Sequence, residues 1–363
     1  MGRNEILSDP LINSTDAFHI DSRSTTGTFD ALIASIGATP VTLLINRQET
    51  ITTNLTIPST IKLKFTPHGS FTIASPFNCT IQTIDIDAEN YQLFFGTGDF
   101  DFADNTKLKN AWFSTLNTAI TYIGSIAEVV LSINTKPADL TANLSIGSNI
   151  SIEWKEFCSL GGAFILTISS PNKLIVNNDI FLFESVLTVV FTNAGTVYPE
   201  WWGINGVADE VQINAAITSI PAGNIILNNT YIIDASITGD SSINLIGMAN
   251  NTTITINTSY INAYSADTKT DISISGIKWI GSGDIVAGNE ERLLYFISCT
   301  DISVTQCEFT NSIIGIQIQT CTRVKINNDT FISLLSRDDG SEGYGILCNL
   351  DNDSVIVNSN HFY

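Results

Sequence analysis

Four segments near the C-terminal end of this 363-residue chain follow one template: DISISGIKW (Asp271–Trp279), DISVTQCEF (Asp301–Phe309), RVKINNDTF (Arg323–Phe331) and SVIVNSNHF (Ser354–Phe362). Each has a β-branched residue at its second place, another two residues later and an aromatic seven residues later. Ile272, Ile302, Val324 and Val355 are therefore equivalent, as are Trp279, Phe309, Phe331 and Phe362. Alternation of this kind is the period of a half-buried strand. The copies are spaced by 30, 22 and 31 residues, a constant strand core with a variable excess between. One copy cannot bury its apolar side alone, but copies stacked in register make a continuous core and expel the excess as loops. The runs LLYFIS (Leu293–Ser298), IIGIQIQ (Ile313–Gln319) and GYGILC (Gly343–Cys348) supply a second strand per copy. Cys299 and Cys321 lie three residues ahead of Ile302 and Val324, so they are expected to stack as small side chains rather than as a disulfide.

A different unit precedes these coils. Phe29, Leu32, Ile33 and Ile36 have the spacing of one helix face, as do Leu116, Ala119, Ile120 and Ile123, and Ile213, Ala216, Ile217 and Ile220. A β run follows each: VTLLIN from Val41, VVLSIN from Val129 and IILNN from Ile225. NLTIPSTIKLKF (Asn54–Phe65) aligns with NLSIGSNISIEW (Asn143–Trp154) at an offset of 89, which also sets Trp112-Phe113 opposite Trp201-Trp202. Aromatics beside acids, as in VYPEWWGINGVADEV, fit a sugar-cleaving cleft or a structural seam. Recurrence of the aromatic doublet without its acids favours the seam for Trp201 and Trp202, whereas Glu200 stays open to either role. Asp209 and Glu210 stand just ahead of the third helix, where carboxylates offset unpaired backbone N–H groups.

Bulk properties exclude several classes. A formal charge of −20, with 36 acids against 16 bases, lacks the basic footprint of a nucleic-acid binder and disfavours an anionic membrane surface. No apolar run reaches the length of a membrane-spanning helix. A hydrophobic content of 44% argues against disorder. Six scattered cysteines without CxxC and three histidines make zinc improbable, so no metal site is expected. The start, MGRNEILSDPLINS, has no secretory pattern, and Ile6 departs from the myristoylation pattern.

The succession of helix, NIILNNTYIID (Asn224–Asp234) and coils with an aromatic in each resembles the right-handed parallel β-helix of the pectate-lyase-like superfamily. PEWWGINGVADEVQINAAI resembles the capping segment of phage tail-spike proteins, although Val207-Ala208-Asp209-Glu210 departs from the paired acids beside Thr usual there. The resemblance covers about 197–363. It implies an all-β fold, a right-handed parallel β-helix with short capping helices, preceded by two repeated helix–strand solenoid-like units. The expected divisions are an N-terminal arm (1–26), two repeat units (27–113 and 114–203) and the β-helix (204–363). NSNHFY ends on the aromatic of a coil without a polar cap, so a fragment or an end covered by oligomerisation is expected. Further implications are a parallel homotrimer and a place on a virion or extracellular surface without a signal peptide. A polysaccharide or cell-surface glycan is the implied partner, with no nucleic acid and no membrane insertion.

Hydrolysis in that superfamily needs one protonated and one ionised carboxyl group across the scissile bond. The candidates lie in SRDDGSEGYG (Ser336–Gly345): Asp338, Asp339 and Glu342 as catalytic acids, with Arg337 and Tyr344 binding substrate. Asp284 and Glu291 in GSGDIVAGNEER (Gly281–Arg292), together with Glu200, complete the substrate-binding set. Asp, Gly and Ser together are also ordinary turn chemistry. The polygalacturonase blocks and the pectate-lyase arginine signature are absent. No cofactor is expected; calcium, which many lyases of the superfamily use, is the one ion the resemblance admits, although neither loop has EF-hand spacing. Three functions are thus in play: a glycan-binding flank, a depolymerase (lyase or hydrolase), and a fibre spacer.

Overall fold

The computed structural model describes residues 18–22, 27–125, 127–155, 158–176, 180–248, 252–259, 261–286, 290–336, 338 and 343–363. They form two compact units, one running to Leu160 with Lys173–Val176 added, the other comprising 161–172 and the chain from 177 onward. Strands dominate both units, and every strand pair named below is parallel.

In the first unit, strands Phe18–Asp21, Val41–Ile45, Ile61–Phe65 and Ile86–Asp87 form one sheet. Leu55–Ile57, Asn78–Ile81 and Asp99–Phe102 form a second, and Gln48–Ile51, Ser70–Ile73 and Phe94–Gly96 a third. The repeated segments take the same form: Ile61–Phe65 and Ile150–Trp154 are both strands with every second residue buried. Helices α1 (Phe29–Ile36) and α2 (Leu116–Ile123) open on threonines that cap them, Thr28 accepting from Ala31 N and Thr115 from Thr118 N. The next residue after each is a glycine at positive φ, Gly37 (57°) and Gly124 (65°). Trp112 and Phe113 are buried, packed against Phe94 at ring distances of 6.4 and 5.3 Å.

In the second unit the chain visits three sheets in rotation. The first holds Gly195–Val197, Gly223–Leu227, Ile243–Gly247, Thr270–Ser275, Thr300–Thr305, Thr322–Asn327 and Asp353–Asn358. The second holds Thr230–Ile233, Thr253–Ile256, Lys278–Ile280, Glu308–Thr310, Thr330–Ile332 and His361–Phe362. The third holds Ile237–Thr238, Asn262–Asp267, Arg292–Ile297, Ile314–Gln319 and Tyr344–Asn349. This arrangement is consistent with a β-solenoid. Its register follows the sequence template: Ile272 pairs with Ile302, Ile302 with Val324 and Val324 with Val355. On the second sheet Trp279 pairs with Phe309, then Phe331, then Phe362. The last three rings stack at 4.9 and 4.8 Å, within 15° of parallel.

The corners between sheets repeat as faithfully as the strands. Asp271, Asp301, Arg323 and Ser354 occupy equivalent places, all with φ of 55–57°. Non-glycine residues avoid that region unless surrounding structure enforces it, and here the paired strands on either side do so. Cys299 and Cys321 are buried free thiols in neighbouring circuits, as the spacing predicts.

Helix α3 (Glu210–Ser219) lies beside the 3-10 turn Pro199–Trp202, where both tryptophans are buried. Asp209 does not cap this helix, contrary to the expectation from its position. Its carboxylate instead accepts from Asn205 N and Gly206 N in the preceding loop and from Ile232 N on the second sheet. Glu210 likewise accepts from Asp234 N. A fixed strand N–H satisfies a buried carboxylate as well as a helix N–H does, and it ties the loop to the coils besides.

Candidate functional site

The third sheet presents an outward face whose side chains follow strand alternation. Leu294 and Phe296 point inward and are buried; Tyr295 between them faces out, in register with Ser265, Gln317 and Leu347. Arg292 starts its strand in register with Asn262, Ile314 and Tyr344. Its guanidinium lies 4.7 Å over the Tyr295 ring, a cation–π contact. The same group donates to Gln317 Oε1, to Asn262 Oδ1 at 3.4 Å, to the Glu290 carbonyl at 3.0 Å and to the Glu290 carboxylate. Tyr295 Oη donates to Gln319 Oε1 at 3.0 Å. Tyr344 is 44% exposed at the same edge. Two phenol rings and a pinned guanidinium thus share one face, with the Gln317 amide buried beneath them at 2% exposure.

Two long connections border that edge, and both lean on the short connection between them. Gly281 N donates to Thr310 O and Gly283 N to Asn311 O, while Asn311 Nδ2 returns a bond to Gly281 O. A Cβ on Gly281 would sit 2.2 Å from Asn311 O, so only glycine allows this approach. From the other side, Leu335 N donates to Ser312 O and Tyr344 N to Ile313 O. The two long connections then meet, with Asp338 N donating to Ile285 O at 3.0 Å.

That contact gathers several residues singled out by sequence. Asp284 precedes Ile285, so Asp284 and exposed Asp338 flank one backbone hydrogen bond. Asp284 accepts from Val286 N at 3.0 Å. Glu291, only 1% exposed, accepts from Ser282 N at 3.1 Å and from Ser282 Oγ at 2.5 Å, closing its loop. Burial raises the pKa of Glu291, with the Ser282 bonds working against the rise. Tyr344 stands at the start of the adjoining strand. Arg337, Asp339 and Glu342 lie outside the described residues. Glu200 belongs to a separate place: it is buried in the 3-10 turn, accepting from Tyr231 Oη at 2.6 Å and Asn229 Nδ2 at 2.9 Å.

Tyr295 and Gln317 are not singled out by the sequence, which shows Arg292 only as the last residue of the loop Gly281–Arg292. Their signal is parity within LLYFIS and IIGIQIQ, where Tyr295 and Gln317 fall between inward apolar residues. On the outer side of the first sheet, Asp301, Ile302, Ser303, Arg323, Lys325, Ser354 and Ile356 line a shallow cleft of about 350 Å³. Arg323 is committed there to both oxygens of Asp301, at 2.6 Å each.

Among the described residues, no three His, Cys, Asp or Glu side chains gather as metal ligands, and no helix is long and apolar enough to cross a membrane. Chemically, the third-sheet face can stack against a ring and exchange hydrogen bonds with hydroxyl groups, and its rim carboxylates can accept from them. No protein-family model, curated protein or solved structure matches the chain.

Proposed function

We propose that the second unit is a right-handed parallel β-helix that binds polysaccharide on the outer face of its third sheet, in the manner of tail-spike-like surface proteins. The observation that carries this reading is the meeting of the two long connections at Asp338 and Ile285 beside Tyr344 and the Arg292–Tyr295 pair. Sugars are recognised by an aromatic surface for the C–H face of the ring and by planar polar groups for its hydroxyls, and both are present here. A virion or extracellular surface location and a homotrimer accompany the proposal, resting on the resemblance alone.

Binding to a panel of capsular, neutral and uronate-containing polysaccharides tests the reading. Tyr344→Ala is expected to weaken binding about tenfold, a loss of about 1.4 kcal/mol. Lys325→Ala, on the outer side of the first sheet, should leave it unchanged. No binding to any member, or equal loss in both variants, would overturn the assignment and leave a spacer role.

Hydrolysis is a second reading, favoured by Asp284 and Asp338 standing on either side of the Asp338–Ile285 backbone hydrogen bond. New reducing ends released by the protein and abolished in Asp338→Asn would support it. Bound but intact polysaccharide would leave the site a receptor.

A further inference from the structure

The corner between the first and second sheets repeats a small device. Gly276, Gln306, Asn328 and Ser359 have φ of 67°, 56°, 58° and 56°, and the residue after each turns toward the interior: Ile277, Cys307, Asp329 and Asn360. Asn360 shows the device complete. Its Oδ1 accepts from Asp329 N in the preceding circuit at 2.8 Å, and its Nδ2 donates to the Ile326 carbonyl at 2.9 Å. Cys307 stands in the same place with a thiol, 4.0 Å from the Ile274 carbonyl one circuit back and 3.6 Å from the Thr305 carbonyl of its own circuit.

The corner between the third and first sheets works in the same way. Asn352 accepts from Cys321 N at 2.7 Å and donates to the Ile318 carbonyl at 3.4 Å. The thiols of Cys299 and Cys321 lie between two carbonyls each: Ala266 O at 3.4 Å and Ile297 O at 3.2 Å for the first, Phe296 O at 3.5 Å and Gln319 O at 3.3 Å for the second. The two asparagines thus bring a hydrogen to a strand-end carbonyl one circuit back, and the thiols stand in the same places.

Asp329 completes only half of this arrangement. Its Oδ1 accepts from Cys307 N at 2.7 Å, as an asparagine oxygen would. Its Oδ2 occupies the place of the amide nitrogen, is buried and has no hydrogen-bond partner. Ile274, Val304 and Ile326 are in register, so the carbonyl equivalent to the one Asn360 donates to, Ile326 O, is that of Val304.

We propose that Asp329 is a buried proton-binding site whose Oδ2 carries a proton and donates it to the Val304 carbonyl, the side chain acting as an asparagine until the proton leaves. Burial raises its pKa to about 7, opposed only by the bond from Cys307 N. The ionisable groups on the elements packed against it are the Cys307 thiol and the half-exposed Lys278–Glu308 pair of preceding circuits, and exposed His361 of the next. Burial pushes the Cys307 thiol up to about 12, so it stays neutral. Deprotonation of Asp329 therefore leaves a buried charge with one hydrogen bond and removes a donor.

An unfolded aspartate titrates near 3.9, so between about pH 4 and 7 the folded chain binds a proton that the unfolded chain does not. The stability conferred is full below that window, declines through it and is lost above pH 7. Between pH 5 and pH 8 the folded-to-unfolded ratio should fall about a hundredfold from this group alone. Asp329→Asn supplies the missing donor permanently. Urea unfolding of the full chain at both pH values should show the variant more stable than the parent at pH 8, with the hundredfold component gone. Parallel pH dependences in parent and variant would overturn the proposal. Carboxyl infrared difference spectra of parent minus variant provide a measurement independent of folding. A protonated-carboxyl band at pH 5.5 that vanishes by pH 9 is expected, and an ionised carboxylate at pH 5.5 would refute the assignment.

Discussion

Tyr231 is a core residue on the second sheet whose hydroxyl end decides its importance. It is fully buried, donates to Glu200 at 2.6 Å and accepts from Asn228 N and Asn229 N at 2.9 and 3.3 Å. Burial and the neighbouring Glu200 raise its pKa well above the ordinary phenol range, so the donor persists throughout the working pH range. Tyr231→Phe leaves the Glu200 carboxylate in the interior with Asn229 as its remaining donor. The expected cost is about 2–3 kcal/mol, read from urea unfolding. The sequence shows Tyr231 as one more outward or inward member of an alternating strand. Its partner lies 31 residues away, and nothing in spacing couples the two. Buried acids are the residue type least legible here: Glu200, Asp209 and Glu291 stand in turn-like sequence, and only the fold shows that each holds backbone or a neighbour rather than water.

At the scale of elements, the template strands were legible because apolar alternation and the aromatic column repeat at fixed internal spacing. Stacking then makes register a matter of burying like against like. The Phe309, Phe331 and Phe362 column puts that to a measurement: Phe331 is buried between two rings, and Phe331→Ala should cost about 3–5 kcal/mol. A loss of unfolding free energy in urea of less than half that would mean the column collapses around the gap. Connections were less legible. Their lengths could be read from the spacing of the template, but not the hydrogen bonds from Gly281, Gly283 and Leu335 to the short connection at 310–312 that bring two of them together. Helix positions could be read from apolar spacing, whereas the replacement of helix capping at Asp209 by a bond to the Ile232 N–H could not, because it depends on which strand lies alongside.

For the molecule as a whole, the net charge of −20 sets a self-repulsion that ion pairs offset only locally, as Arg323 does for Asp301. Raising sodium chloride from about 0.01 M to about 0.15 M shortens the screening length from about 30 to about 8 Å. The melting temperature should therefore rise, and an unchanged melting temperature in calorimetry would show the carboxylates to be spaced beyond mutual influence. The largest lesson at this scale lies in one circuit. From Ile302 to Val324 the chain spends 22 residues and no surplus, whereas its neighbours spend 30 and 31. In both neighbours the surplus lies almost wholly between the second and third sheets, in 281–291 and 333–343, where the short circuit has only 311–313. Evolution or a protein engineer could therefore exchange those loops while the stacked strands beneath continue undisturbed.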